Sequence, residues 1–543
     1  MAKPAWRLNA LKTAKWSNAL LRLRALGAAA TLGLSLGAVA LSTSGCAVNE
    51  TDVHRWETTE RGPEKLFAVV THDKYSWPLR TEAALSMIRI RARGGKRIGI
   101  ELLIESLASL APEARSKIVA GMTPELIKQM QATPPGKKPD GTLTPDPSIP
   151  FKDAAFGMLS HEPTLVTEDK SNADITAALQ QWSQTDFENR IDYSSQQHGI
   201  EQMMRFLGAP SVRALPGLMT ENSTKLDRIA GLIADLGEPD VKLKASQSLV
   251  AIAKGIDSPS WIAKQTPLVE DADKRAGQKV TKEQLAEQIK KYQDQELTRI
   301  FSAMKRVGGR PVIDYVLLYA GQKENNEDRR KAALAALEGR VDKNNTGDVE
   351  RLFEIAKDDN TPDSVRGLAF DRLGELPKEV VVPRMFQLFE PQKKWKVRWV
   401  AASLVLKSTS TGKIPEFMQH LPRSGGTKIG MTEPISYGAL IQKMENPGSE
   451  PKAKDAIVPY LQSRELGPKL VALGYFYGGK KSDIPLIAPH GDETMAVPKC
   501  EKDDECGWSC DVPKPGSQEK ESKEVRSVGE FVRFCVVPSM DQP

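Results

Sequence analysis

Five cysteines, six histidines, two glycine-rich runs and a pair of tryptophans are the residues of this 543-residue chain whose types could carry chemistry. Metal ligation needs clustered donors. His54, His72, His161, His198, His420 and His490 fall far apart and form no ligand spacing, so no metal or cofactor is expected. Gly474-Tyr-Phe-Tyr-Gly-Gly479-Lys480-Lys481 approaches a phosphate-cradling loop. It has Lys481 where a magnesium-binding hydroxyl is required, and it reads instead as a helix C-cap at Gly478-Gly479. The nucleophile pattern Gly-x-Ser-x-Gly occurs at Gly33-Leu-Ser-Leu-Gly37, inside an apolar leader, so no catalytic residue is expected. Trp395 and Trp399, four apart, share a helix face. Exposed, they would anchor a partner; buried, they would pack a core. The basic run Arg89, Arg91, Arg93, Lys96, Arg97 could meet anionic headgroups or form a solvated helix end.

Cys500, Cys506, Cys510 and Cys535 cluster at the C-terminal end around Trp508, Pro513 and Pro515. They suit two disulfides or one four-thiolate zinc site, and export to an oxidising space favours disulfides. Three connectivities stay open. Val528–Val537 alternates apolar and polar residues and is expected to be a strand. The fifth cysteine, Cys46, stands alone behind a leader. Residues 1–24 are basic and polar, and Leu26–Leu41 is apolar and uncharged, too short for a span of about 20 residues. The exit Leu41-Ser-Thr-Ser-Gly-Cys46 resembles a bacterial lipobox, with Thr43 where a leucine is usual. The resemblance implies lipidation of Cys46, which leaves an even four cysteines, and Ala47 implies the outer membrane. Residues 1–45 hold six basic residues and no acid; the remainder carries 70 of each. The basic balance therefore belongs to the leader, and no nucleic-acid partner is expected.

The elements that must position these residues are mostly helical. Apolar residues recur at helical spacing at Ala83, Ala84, Met87, Ile88 and at Leu102, Leu103, Leu107, Leu110. Asp/Pro/Asn clusters at 237–240, 257–260 and 359–363 break and cap helices. The expected organisation is a signal peptide over 1–45, the lipidated cysteine and a tether over 46–62, and helical repeats over 63–132. A Pro-rich loop region over 133–171 follows. Helical repeats with irregular spacing occupy 172–320, with room for an insertion or a different helical arrangement between 250 and 320; a HEAT-like repeat array covers 321–495 and a Cys-rich module 496–543. A template of Lys/Arg, Ala at +3, a small or apolar residue at +4 and an apolar residue at +7 fits helices beginning at Arg80, Lys242, Arg330, Arg366, Arg398 and Lys469. These positions share one helix face, and helices so patterned must stack to cover it.

Asp359-Asn-Thr-Pro-Asp-Ser-Val-Arg-Gly-Leu-Ala-Phe-Asp-Arg-Leu-Gly-Glu-Leu376 resembles a bacterial HEAT-like repeat, and 325–337 and 394–404 are similar. The resemblance implies a mostly α fold: an α-solenoid of HEAT-like helix pairs, with a small disulfide-bonded C-terminal module containing β-strand. It also implies that Arg330, Arg366 and Arg398 form a structural ladder with turn acids; a ligand-binding row is the alternative. The expected function is a membrane-anchored envelope lipoprotein that binds other envelope proteins along the solenoid, with Trp395, Trp399, Arg366 and Arg398 as candidate contacts. Some HEAT-like families are similar to bilin lyases, so a small-molecule-handling enzyme is an alternative, and a structural envelope spacer is another.

Overall fold

Helix starts in this chain are written by proline and by short polar caps. Pro112, Pro239, Pro259 and Pro311 sit in first helical turns, where a missing N–H costs nothing. Asn326 and Asn345 accept from Arg329 N and Asp348 N, and Thr281 and Gln284 form a reciprocal capping box. The computed structural model describes residues 48–92, 96–193, 196–277, 279–389, 395–421, 429–444, 448, 451–498, 507–513 and 520–540. Cys46, Arg93, Cys500 and Cys506 lie outside the described residues.

Helix α1 (Glu50–Trp56) precedes three stacked hairpins. They are α2 (Gly62–Thr71) with α3 (Trp77–Arg89), α4 (Ile98–Ser109) with α5 (Pro112–Met130), and α6 (Ile149–Ser160) with α7 (Asp169–Gln184). Helices α8 (Ile200–Leu207) and α9 (Leu226–Leu236) lead into the long α10 (Pro239–Ile256), α11 (Pro259–Arg275) and α12 (Lys282–Val307). Four further pairs follow: α13 (Arg310–Gly321) with α14 (Glu327–Ala335), α15 (Thr346–Lys357) with α16 (Asp363–Gly374), α17 (Lys378–Phe386) with α18 (Trp395–Ser408), and α19 (Ile414–Gln419) with α20 (Thr432–Gln442). Helix α21 (Leu466–Phe476) closes the array.

Next-but-one packing (α2 on α4 on α6, α10 on α13 on α15, α3 on α5 on α7, α9 on α12 on α14 on α16, and α18 on α20 on α21) arranges the helices in two rows. The first row contains α2, α4, α6, α10, α13, α15 and α17; the second contains α3, α5, α7, α9, α12, α14, α16, α18, α20 and α21. One hydrophobic core runs between them from Val53 to Met540. The fold is an α-solenoid of HEAT-like pairs, and the 63–132 segment belongs to it. Five template matches lie on second-row helices, whereas Lys242 lies on first-row α10.

Helix α11 and the start of α12 are the extra material in the irregular stretch. They form a hairpin in which no described residue from 266 to 288 is buried. The dense charge of 270–295 lies largely on this solvated surface.

Three expectations are corrected. The tether does not run to residue 62: α1 buries Val53 and Trp56 against the first pair. The 133–171 segment is not all loop, because Pro150 opens α6 in its first turn and α6 buries Phe151, Phe156 and Leu159. Residues Val528–Val537 are helical, within a run made of Val528–Phe531, Val532–Val536 and Val537–Met540 (α22). Its buried positions, Val528, Phe531, Val532, Cys535 and Val536, recur with the helical period, which the short alternation hid. The β-structure is a hairpin instead, β1 (Ser509–Pro513) antiparallel to β2 (Lys520–Glu524).

Candidate functional site

The repeat-start arginines are joints between elements. Nε of Arg80 donates to Val70 O at 2.9 Å, and Nε of Arg330 donates to Ala320 O at 2.7 Å. Arg366 donates through Nη2 to Asp358 O and Thr361 O, at 3.1 and 2.9 Å. Each guanidinium, near the start of a second-row helix, closes carbonyls at or just past the end of the first-row helix before it. Those carbonyls have no intrahelical donor, and a cation suits the negative helix end. Burial pushes the Arg80 and Arg330 pKa values below the ordinary arginine value. Arg398 is joined differently: Nε and Nη2 reach both Glu433 oxygens at 2.8 and 2.7 Å, and the Tyr437 hydroxyl donates to Glu433 at 2.7 Å. Burial opposes the Arg398 charge, but the hydrogen bonds and charge of Glu433 outweigh it and raise its pKa.

Arg366 and Arg398 are therefore withdrawn as surface contacts, being 4% and 1% exposed. Their guanidiniums are turned inward, onto carbonyls at a helix end and onto a buried carboxylate. An acid joins the ladder only at Arg366, through Asp363, and at Arg398. Trp399 is 37% exposed and Trp395 is half-buried. The basic run is partly consumed as well: Arg89 holds Glu82 at 2.6 Å, and Arg97 lies 3.6 Å from buried Asp153.

Two other polar clusters have the residue types of a reactive site. Lys152 is wholly buried, and its Nζ donates to Asp153, Gln196 and His198 O. Burial lowers its pKa, with Asp153 opposing. Arg190 beside it holds Asp146 at 3.0 Å, and Trp182 donates to Ser148. These bonds fasten the 131–148 segment to α7 and leave the ammonium satisfied. Glu50, His54 and Glu82 could converge on an ion at the surface, but Arg89 already sits on Glu82.

The open chemistry lies on the first row. A cleft of about 550 Å³ between α10 and α13 is lined by Lys254, Asp257, Tyr315, Leu318, Tyr319 and Gln322. A second, of about 770 Å³ between α13 and α15, shares Leu318 and Gln322 with it. Leu318 stands on the ridge between them, 60% exposed. Ion pairs cross the groove: Arg310 to Asp348 at 2.6 Å, Lys323 to Asp358 at 2.8 Å and Arg351 to Asp314 at 3.8 Å.

The floor of the first cleft is aromatic. Tyr319 packs edge-on against Phe301 with centroids 5.3 Å apart, and Tyr315 lies 5.7 Å from Tyr319. Arg329 binds Asp257 at 2.9 Å, Gln293 at 2.6 Å and Asp294. Burial pushes the Tyr319 hydroxyl up to about 12 and raises the Asp257 carboxyl above its usual value. Sequence reasoning passed over this groove. The signal available was Tyr315-x3-Tyr319, two aromatics on one helix face, following the Asp257 cap by a long interval that only the fold closes.

The C-terminal module seals the last pairs. Cys510 on β1 is disulfide-bonded to Cys535 on α22, Cα atoms 5.6 Å apart, and both sulfurs rest on the Met431 thioether. The bond is compatible with one of the three connectivities. The Trp508 indole donates to Ile429 O at 2.7 Å, and its ring meets Phe531 edge-on. Gly478 has positive φ just past α21, as a C-cap there requires, and its N–H donates to Ser539.

No protein-family model matches the chain, and no curated protein matches it. Among solved structures it is similar to the karyopherin Kap121p bound to the SUMO protease Ulp1p, at 12% identity and a TM-score of 0.29 over 83% of this chain and 44% of that one. Kap121p bound to Ste12p matches at 14% identity and a TM-score of 0.27, over 81% and 43%. A microtubule-polymerase TOG-domain array matches at 12% identity and a TM-score of 0.21, over 79% and 90%. The chain spans under half the length of the karyopherins it matches.

Proposed function

We propose that the chain is an exported, lipid-anchored envelope protein that binds other proteins along the first-row groove and performs no chemistry of its own. The observation that carries the binding reading is the exposed Leu318 ridge between two joined clefts. A solenoid offers a long continuous face, and an isolated exposed leucine between concavities is a ready anchor for a partner. Export is supported by the leader and by the Cys510–Cys535 disulfide, since such bonds persist in oxidising compartments. The lipobox-like Ser44-Gly45-Cys46 supports the anchor.

The test is affinity purification of a tagged copy from mildly solubilised envelope, beside Leu318→Asp and Cys46→Ala. The reading expects a stoichiometric protein partner that is lost with Leu318→Asp. It expects Cys46→Ala to leave the membrane fraction while keeping that partner in solution. A partner retained by Leu318→Asp refutes the groove, and an unchanged membrane fraction for Cys46→Ala refutes the anchor.

A further inference from the structure

Helix α1 begins at Glu50, four residues after Cys46, and is already part of the folded body. Asn49 and Asp52 close its start in a reciprocal capping box, and Val53 is wholly buried. Four extended residues span about 14 Å at most. A lipid on Cys46 therefore holds the first helices at the bilayer surface, with no spacer to lift them away. The direction of α1 says which edge is held there. Nε2 of His54 lies 3.5 Å from Glu82, and the Ser86 hydroxyl donates to Glu57 at 2.7 Å. Helix α1 thus runs in the same direction as α3, and both begin at one end of the first repeat.

That end carries the turn between α2 and α3. Tyr75 in the turn is half-buried, and Trp77, the first residue of α3, is 41% exposed. The Lys74 ammonium lies 4.8 Å from the Tyr75 ring centroid, and Lys117 of α5 lies 5.2 Å from that of Trp77. The acids of this end stand beside bases: Glu113 at Lys117 (3.0 Å), Asp73 at His72 (3.0 Å) and Glu50 at His54 (3.7 Å).

We propose that the edge formed by Lys74, Tyr75, Trp77 and Lys117 rests in the headgroup layer of the bilayer that holds the Cys46 lipid. The inference rests on the anchor reading above and names the surface the body turns to the membrane. Tryptophan and tyrosine rings suit that layer, which is apolar on one side and wet on the other. Lysine stems lie along such a surface and keep their ammonium groups among the phosphates. Positive and negative groups nearly balance on this edge, so it does not hold the chain by itself. The lipid supplies the hold, and the rings fix the orientation. A protein seated on Trp77 would have to lie within the headgroups, because the anchor leaves only about 14 Å between Cys46 and α1.

The test uses the full mature chain with its lipid, reconstituted in vesicles of equal parts phosphatidylethanolamine and phosphatidylglycerol. Photoreactive p-benzoylphenylalanine replaces Ser76, beside Trp77, or Leu268, 56% exposed on α11, as the control. The mass of the N-terminal peptide reads the lipid on Cys46 in the same samples. The expected result is a lipid adduct from position 76 and none from position 268. Lys74→Glu and Trp77→Ser, both changes of exposed side chains, should each lower the yield at position 76. For Lys74→Glu the fall should be about tenfold, the worth of reversing one charge at an anionic surface. A lipidated chain without an adduct at position 76 overturns the docked edge and leaves the anchor standing. So does equal labelling from positions 76 and 268, which means no fixed orientation. A yield indifferent to both substitutions reduces the adduct to the short link alone and overturns the edge. An N-terminal peptide without lipid overturns the anchor and the docked edge together.

Discussion

Arg398 and Glu433 meet with both partners buried, so the cost of removing one is dominated by the charge left behind. Arg398→Ala is expected to destabilise the chain by about 3–5 kcal/mol in chemical denaturation. The double change Arg398→Met with Glu433→Leu is expected to recover most of that loss. Glu493 makes a pH prediction. Burial works to raise its carboxyl, but hydrogen bonds from Lys469 and His490, with their charges, hold it below the usual range. A carboxyl lowered by folding contributes stability above its unfolded pKa of about 4.3, lost as pH falls through the folded value. The acid limb of a stability–pH curve should therefore flatten for Glu493→Gln; an unaltered limb would refute the assignment. At this scale the sequence was half legible. The resemblance to HEAT-like repeats implied a ladder of Arg330, Arg366 and Arg398. That they face helix ends and a buried glutamate, away from solvent, depends on residues 5 to 35 positions away that periodicity does not pair. Tyr319 was illegible for the same reason, since its neighbours Asp257 and Arg329 come from other helices.

Among elements, α20 and α21 approach most closely at glycines. A Cβ on Gly438 would stand 2.2 Å from Gly474 C, and one on Gly474 2.3 Å from Pro434 O. Both obstacles are backbone, which cannot turn aside as a side chain can. Gly438→Ala is expected to cost about 3 kcal/mol or more, despite the better helix propensity of alanine. Hydrogen exchange should locate the loss in α20 and α21, and a stabilised variant would contradict the close approach. Helices with caps and 3.6-residue periodicity were readable in advance. The errors came from proline and from short windows. Pro150 was counted with the loop before it although it opens α6, and ten residues of α22 were too few to separate a two-residue from a helical period.

Over the whole molecule, the solenoid has two unlike ends, and the C-terminal one is fastened covalently. Cys510 and Cys535 are 25 residues apart. Opening a loop of that length is expected to remove about 3 kcal/mol from the module. Cys510→Ser or reduction should thus expose Trp508, read as a red shift in its fluorescence, before the helical array melts. Simultaneous melting would show the module to be inseparable from the array. The solenoid class and the interruption before α13 were legible because a repeat writes its period into the sequence. The groove was not, since it is made by the spacing between neighbouring pairs.

The arginine joints bear on how such a molecule deforms. Buried bonds tie the two helices of a pair, as Arg330 does for α13 and α14, whereas the bridges across the clefts involve exposed lysines and arginines that salt weakens. High ionic strength therefore loosens the rims of the clefts on either side of Leu318 first, while the continuous apolar core and the buried Arg398–Glu433 joint keep the pairs together.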